Sequence, residues 1–205
     1  MAFEVGIHDA WLRLPLDTAA DERLSAHLAL TEVGRACGLV PLHAAVLTRQ
    51  GKTVAISGPS GAGKSTASLR LLAAGWSVVA EDSAWLDPLS LQVVGADQGL
   101  RVFESSVRQF APQWLRKPVR RDAHGKWWFD LPSMGGQTLQ RLYLLKDEGT
   151  GLISPAAAVA ALWQASGVPL CAAAQQMVSQ SLARVAQHLP VEAVERNTLV
   201  AQLSA

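Results

Sequence analysis

The chain has 205 residues, 49% of them hydrophobic, with 18 basic and 17 acidic side chains for a formal net charge of +1. That length suits one domain, 1–205, with a sizeable core, and the apolar fraction excludes a disordered chain. The near-neutral balance argues against a dedicated nucleic-acid binder, which carries a basic excess.

The two cysteines, Cys37 and Cys171, lie far apart without metal-ligand spacing, which suits a reduced, cytoplasmic setting. The first residues, MAFEVGIHDAWLRLPLD, are acidic early and lack an apolar stretch of the kind that directs secretion. No apolar run approaches the roughly 20 residues that span a bilayer. The alanine-rich stretch from Pro155 to Ala174 is broken by Gln164, Gly167 and Pro169, and reads as helix outside any membrane.

Residues 1–20 predict one or two strands with a turn near Pro15–Asp17. From Asp21 to Ala36, Leu24, Leu28, Leu30 and Val33 recur at helical spacing before a stop at Gly38, which predicts an amphipathic helix. Residues 42–48 and 52–57 predict two strands joined by Arg49, Gln50 and Gly51 as a tight hairpin. A loop from Gly58 to Ser65 leads into a helix over Lys64–Ala74, closed by Gly75. A short strand follows at Trp76–Ala80, then a hairpin pairing Ala84–Asp87 with Leu91–Val94 across Asp-Pro-Leu-Ser. The middle is harder to read. It predicts a short helix near Glu104–Phe110, a basic cluster RKPVRR at 116–121, and strands at Trp127–Leu131 and Leu139–Leu145. Helices are expected at about 155–165 and 170–188. The sum is an α/β fold, a mixed sheet flanked by helices.

The strongest motif is Gly58-Pro59-Ser60-Gly61-Ala62-Gly63-Lys64-Ser65-Thr66, which fits G-x-x-x-x-G-K-[S/T] between an apolar strand and a helix. Glycines at these positions let backbone N–H groups turn inward around a β-phosphate. The following helix aims its positive N-terminus at the same anion. Lys64 then reaches the β- and γ-phosphates of ATP, and the Ser65 hydroxyl binds Mg²⁺.

Phosphoryl transfer also needs carboxylates, for the metal and for the proton of the nucleophile. The strand Val78-Val79-Ala80 delivers Glu81-Asp82, two acids one connection after the phosphate loop. The bland alternative is a solvated acidic loop. His43 precedes Gly58 by 15 residues on the strand expected to pair with the one feeding the loop. Taken alone, it reads as an ordinary satisfied strand histidine.

The stretch Leu42 to Ser83, LHAAVLTRQGKTVAISGPSGAGKSTASLRLLAAGWSVVAEDS, resembles HPr kinase and its compact relatives. In that family a histidine on a strand, a hairpin into G-x-S-G-x-G-K-S, a helix ending at Gly and a strand delivering two acids follow in this order. The resemblance implies a P-loop-containing, HPr kinase-like core and an ATP- and Mg²⁺-dependent kinase. Its catalytic residues would be His43, Lys64, Glu81 and Asp82, with Ser65 and Asp82 at the metal. Glu81 would be the base toward the acceptor hydroxyl, with His43 beside it.

The chain departs from the family in having Glu81 where Asp is usual. It lacks room for the separate N-terminal domain of full HPr kinases and lacks their later glycine-rich signature. Glu104 is the candidate for a further metal-side glutamate. The compact form is similar to tailoring kinases that phosphorylate a serine of ribosomal peptide precursors, lasso peptides included. The implied partner is a peptide or small protein with an acceptor serine. Neither nucleic acid nor membrane is expected, and the oligomeric state, a homo-oligomer included, stays open.

Arg101, Lys117, Arg120, Arg121 and Lys126 are candidates to neutralise the transferring phosphoryl or an acidic substrate, with solvated surface as the plainer reading of each. Trp127-Trp128 reads as core rather than a peptide-docking surface. Two other functions remain alongside: a small-molecule kinase on the same core, and a non-catalytic ATP-binding sensor. The acid pair favours catalysis over sensing. A GTPase is disfavoured because no [N/T]-K-x-D string follows a strand; Lys146-Asp147-Glu148 has the wrong spacing.

Overall fold

The computed structural model describes residues 2–5, 10–13, 20–97, 99–117, 119–122, 124–130, 132, 134–146 and 150–204. The turn expected at Pro15–Asp17 and the end of the strand expected at Leu131 lie outside them, as do Asp147 and Glu148.

Strands β1 (Ala2–Val5) and β2 (Ala10–Arg13) pair antiparallel, and α1 (Ala20–Ala36) follows. The stripe expected on α1 is only partly used: Leu28 is exposed, while Ala26 and Arg35 are buried. The expected strand 42–48 is divided. Leu42 ends a separate short strand, β3 (Val40–Leu42), and the rest is β4 (Ala44–Arg49), with His43 at the break. β5 (Lys52–Ser57) returns along β4 through a two-residue turn in which Gln50 (φ 51°) and Gly51 (φ 78°) both take positive φ, the geometry that matches strand twist.

Next come α2 (Lys64–Ala73), β6 (Ser77–Ala80), β7 (Ala84–Leu86), β8 (Gln92–Gly95) and β9 (Gly99–Val102). α3 (Glu104–Phe110) leads through a 3₁₀ turn at Pro112–Arg116 to β10 (Arg120–Arg121), β11 (Trp127–Asp130), β12 (Gln137–Thr138), β13 (Arg141–Leu145) and β14 (Gly151–Leu152). The chain closes with α4 (Pro155–Ser166), α5 (Ala172–His188), β15 (Val191–Val194) and α6 (Arg196–Ser204).

The central sheet has the order β14-β15-β13-β5-β4-β6. β5, β13 and β15 run parallel; β4 is antiparallel to both β5 and β6. β6 therefore points the same way as β5, and the C-terminal ends of β5, β6, β13 and β15 share one edge. A four-stranded sheet (β12-β8-β7-β3) and a three-stranded one (β10-β11-β9) lie beside it.

Both faces of the central sheet are covered, which is why its strands read as nearly continuous apolar runs. Alternate residues Ala44, Val46, Ala55, Leu142 and Leu144 face one core with Leu162 of α4 and Val178, Leu182 and Val185 of α5. Ala45, Leu47, Val54, Ile56, Tyr143 and Leu145 face the other, with Leu71 of α2 and Leu199, Val200 and Leu203 of α6. Burying a side chain such as Leu71 or Leu199 contributes about 1.5–3 kcal/mol, so α2 and α6 are held firmly beside each other. A third core joins Leu69 of α2 to Leu100, Val102, Val107, Trp127 and Phe129.

The fold is thus α/β with a mixed sheet and helices on both faces, as the sequence predicts. Among the described residues no helix is long and apolar enough to cross a membrane. Cys37 and Cys171 are both exposed and unpaired.

Candidate functional site

The loop between β5 and α2 has the conformation its glycines permit. Gly61 (φ 83°) and Gly63 (φ 93°) are left-handed, and Gly63 is the residue that caps α2. Lys64, the first residue of α2, is buried and folds back over the loop, donating from Nζ to the Gly58 carbonyl at 2.9 Å. Burial holds its ammonium below the ordinary lysine value; Asp82 and then Glu81 oppose that shift, and Lys126 adds to it. A desolvated cation at a helix N-terminus is a strong anion partner.

Glu81 and Asp82 leave the end of β6 pointing to different neighbours, as successive residues on extended chain do. Glu81 is buried at 3% exposure, and its Oε1 accepts from the Ser65 hydroxyl at 2.5 Å. Burial raises its pKa; the Ser65 hydrogen bond and Arg101 oppose this, while Asp82 and Asp97 add to it. Asp82 is more open. Its Oδ1 lies 3.5 Å from Nδ1 of His43.

His43 is fixed through its backbone rather than by strand pairing. Its N–H donates to the Ala165 carbonyl at 2.7 Å, and its own carbonyl accepts from the Ser57 hydroxyl at 2.9 Å. The resemblance implies Ser65 with Asp82 and His43 with Glu81. The contacts pair them the other way, because Glu81 turns toward α2 and Asp82 toward the start of β4.

Two residues that sequence reasoning missed or underused organise this pair. Arg101, on β9, spans both acids, with Nε 3.3 Å from Glu81 Oε2 and Nη2 3.4 Å from Asp82 Oδ2. Asp97 holds the acidic turn from behind. Its Oδ1 accepts from the Glu81 N–H at 2.8 Å, and its Oδ2 from the Asp82 and Ser83 N–H groups at 2.6 and 2.9 Å. Gly95 makes this approach feasible: a Cβ there would lie 2.0 Å from the Val79 carbonyl oxygen, next to the bulge in the β4–β6 pairing. Gly95 and Asp97 two residues on are the signal in the sequence, legible only once β8 is known to pass β6.

A cleft of about 340 Å³ is lined by Ser60, Gly61, Gly63, Lys64, Ser65, Thr66, His43, Asp82, Arg101, Lys126, Phe103 and Arg196. Of the basic candidates, Arg101 and Lys126 face it. Arg120 pairs with Asp130, Arg121 with Glu104, and Lys117 lies over the Trp114 ring. Glu104 is engaged by Arg108 and Arg121 and does not line the cleft. Trp127 is core, as expected, while Trp128 sits between Arg101 and Arg120. Phe103 and Arg196 enter from stretches with no sequence motif.

Pro59, Ser60, Gly61 and Ala62 also border a second cleft of about 780 Å³, on the β13 and β15 side, with Lys146, Glu195, Arg196 and Asn197. A third, of about 620 Å³, joins His43 and Gly58–Ser60 to the alanine face of α4.

A hydroxyl and a carboxylate in contact at the head of α2 are hard oxygen donors, which suit Mg²⁺. Among the described residues no cluster of three or more His, Cys, Asp or Glu forms a closed metal cage. That donor set fits an ion completed by phosphate oxygens and water. No protein-family model and no curated protein matches the chain.

Proposed function

We propose that the protein is an ATP-dependent kinase with an HPr kinase-like core, transferring the γ-phosphoryl group to a serine hydroxyl of a peptide or small protein. The observation that carries this reading is the division of labour between the two acids. One carboxylate contacts the Ser65 hydroxyl of the phosphate loop, and the other faces His43 across an open cleft.

On this reading Gly58–Thr66 binds the phosphate chain, and Lys64 leaves the Gly58 carbonyl for the β- and γ-phosphates. Ser65 and Glu81 hold Mg²⁺, which screens the phosphate charge when bound. Asp82 accepts the proton of the serine hydroxyl as its oxygen forms the new bond to phosphorus. The bond from that phosphorus to the bridging oxygen breaks, and ADP leaves with the electron pair. His43 orients Asp82 and the hydroxyl. Arg101 and Lys126 face the transferring group and offset its charge. The metal and base roles are thereby exchanged relative to the sequence expectation, following the contacts. The choice of a serine-bearing peptide rests on the family resemblance.

The test is a dissociation between two variants. Asp82→Asn keeps MgATP affinity and loses about 10²–10⁴-fold in kcat, the range of a general base. Glu81→Gln loses the Mg²⁺ dependence of nucleotide binding. Transfer from labelled ATP to serine-bearing peptides, read by mass spectrometry, with calorimetry of MgATP binding, separates them. Wild-type turnover in Asp82→Asn removes that residue from the chemistry. Tight MgATP binding with no peptide ever phosphorylated leaves the sensor reading in its place.

A further inference from the structure

We propose that Arg196 binds the phosphate chain of the nucleotide from the head of the C-terminal helix, and that the cleft beyond it takes the nucleoside. The inference rests on the nucleotide-binding reading of the phosphate loop and names a residue and a subsite that the motif does not contain.

Position comes first. β15 ends at the same sheet edge as β5, and Arg196 opens α6 directly after it. α6 is anchored by Leu199, Val200 and Leu203 in the core shared with α2, and by the Leu203 carbonyl accepting from the Trp76 indole N–H at 3.0 Å. The guanidinium is therefore presented from a fixed helix. It lies against the loop itself: a Cβ added to Gly63 would sit 2.8 Å from both Cδ and Nη1 of Arg196. Gly63 caps α2, whose N-terminal N–H groups would face a bound phosphate.

The second observation is that this guanidinium makes no hydrogen bond or ion pair with any described residue. Arg101, the other arginine lining the first cleft, and Arg70, bonded to Asn197 at the edge of the second, both have side-chain partners. An arginine carries five N–H donors in a planar fork that matches phosphate bidentately. A partnerless fork on the capping glycine of a phosphate loop is complementary to the phosphate chain.

The third observation is the division of space. Arg196 lines both the cleft holding Lys64, Ser65 and Asp82 and the larger cleft bordered by Pro59–Ala62, Lys146, Glu195 and Asn197. The γ-phosphoryl end must lie in the first, beside the acids. The chain of phosphates then passes Arg196, and the nucleoside lies in the second, outside the carboxyl ends of β13 and β15.

Calorimetric titration of MgATP, MgADP and inorganic tripolyphosphate into wild type, Arg196→Ala and Arg196→Lys tests this. Arg196→Ala should weaken all three by about 10- to 100-fold, the range for charge-assisted bonds. Arg196→Lys should recover part of the loss, since a point charge remains without the fork. The nucleotide-free melting temperature should not move, and KM for ATP should rise far more than kcat falls. Equal affinity of wild type and Arg196→Ala for tripolyphosphate overturns the inference while leaving the kinase reading intact. A loss confined to ATP and ADP also overturns it, because the contact would then be to the nucleoside. A wild-type protein that binds none of the three ligands overturns both.

Discussion

Asp97→Ala isolates the support beneath the two acids. One carboxylate accepts three backbone N–H groups, those of Glu81, Asp82 and Ser83. Hydrogen bonds to a charged group contribute about 1.5–3 kcal/mol each, so simple addition gives roughly 5–9 kcal/mol. The real loss is smaller, because the three bonds share one group and water reaches the half-buried turn; about 2–4 kcal/mol is expected. Asp97→Asn keeps one carbonyl oxygen but turns an NH₂ toward a neighbouring N–H, and about half of that loss should remain. Urea unfolding followed by circular dichroism reads the stability. Turnover is measured well below the melting temperature, so that the protein is folded in the assay. A displacement of about 1 Å in a reacting group costs on the order of 10²-fold, and kcat should fall by about that much. A variant that loses stability but keeps kcat refutes the positioning role. One that loses neither refutes the hydrogen-bond argument.

Lys64→Ala should abolish the thermal shift on adding ATP, because the phosphate charge loses a buried cation; equal shifts in variant and wild type would dissociate the loop from nucleotide binding. Glu81 gives a pH dependence. Its folded pKa is raised, chiefly by burial, so the folded state binds more protons than the unfolded one between the ordinary carboxylate value and the raised one. Stability is therefore lost as pH rises through that window. Nucleotide-free Glu81→Gln should melt above wild type at pH 8, and the difference should shrink toward pH 5. A difference that grows on acidification reverses the sign and removes burial as the cause.

The elements legible in the sequence are those with local causes. The β4–β5 hairpin follows from Gln50-Gly51, α2 from the loop before it and Gly75 after it, and β6 from an apolar run ending in two acids. The elements missed carry misleading local signals. β3 is three residues long and contains Pro41; β9 opens on Gly99; β15 reads Val-Glu-Ala-Val. Glu192 breaks that last apolar run, yet it is satisfied by Arg141 on the neighbouring strand at 2.5 Å. Without β15, nothing in the sequence begins a helix at Arg196.

The structure brings His43, Lys64, Ser65, Glu81 and Asp82 together, but pairs them otherwise than the sequence predicts. Spacing along the chain places Glu81 and Asp82 together without saying which faces α2. That is decided by the pleat at the end of β6 and by the side on which α2 packs. Arg101 and Asp97 reach the acids from β9 and the loop before it, across 15 to 20 residues, and no periodicity encodes such contacts.

The placement of β4 ties these points together. Its direction is opposite to its neighbours, so its first residues, not its last, lie at the edge where β5 releases the phosphate loop and β6 releases the acids. A histidine just before β4 therefore meets an acid just after β6. The inserted strand also sets β5 and β6 two spacings apart, about 9–10 Å. On the proposed reading, that separation is wide for a carboxylate on β6 to meet a metal that the loop would hold. It is bridged from both sides: α2 carries the Ser65 hydroxyl out from the loop, and Glu81 reaches to within 2.5 Å of it. Glutamate at this position, one methylene longer than the aspartate usual in the resembling family, is thus matched to the side chain's target on α2. The same reach leaves the shorter Asp82 free to stay with His43, and the spacing of the sheet gives each acid a different partner.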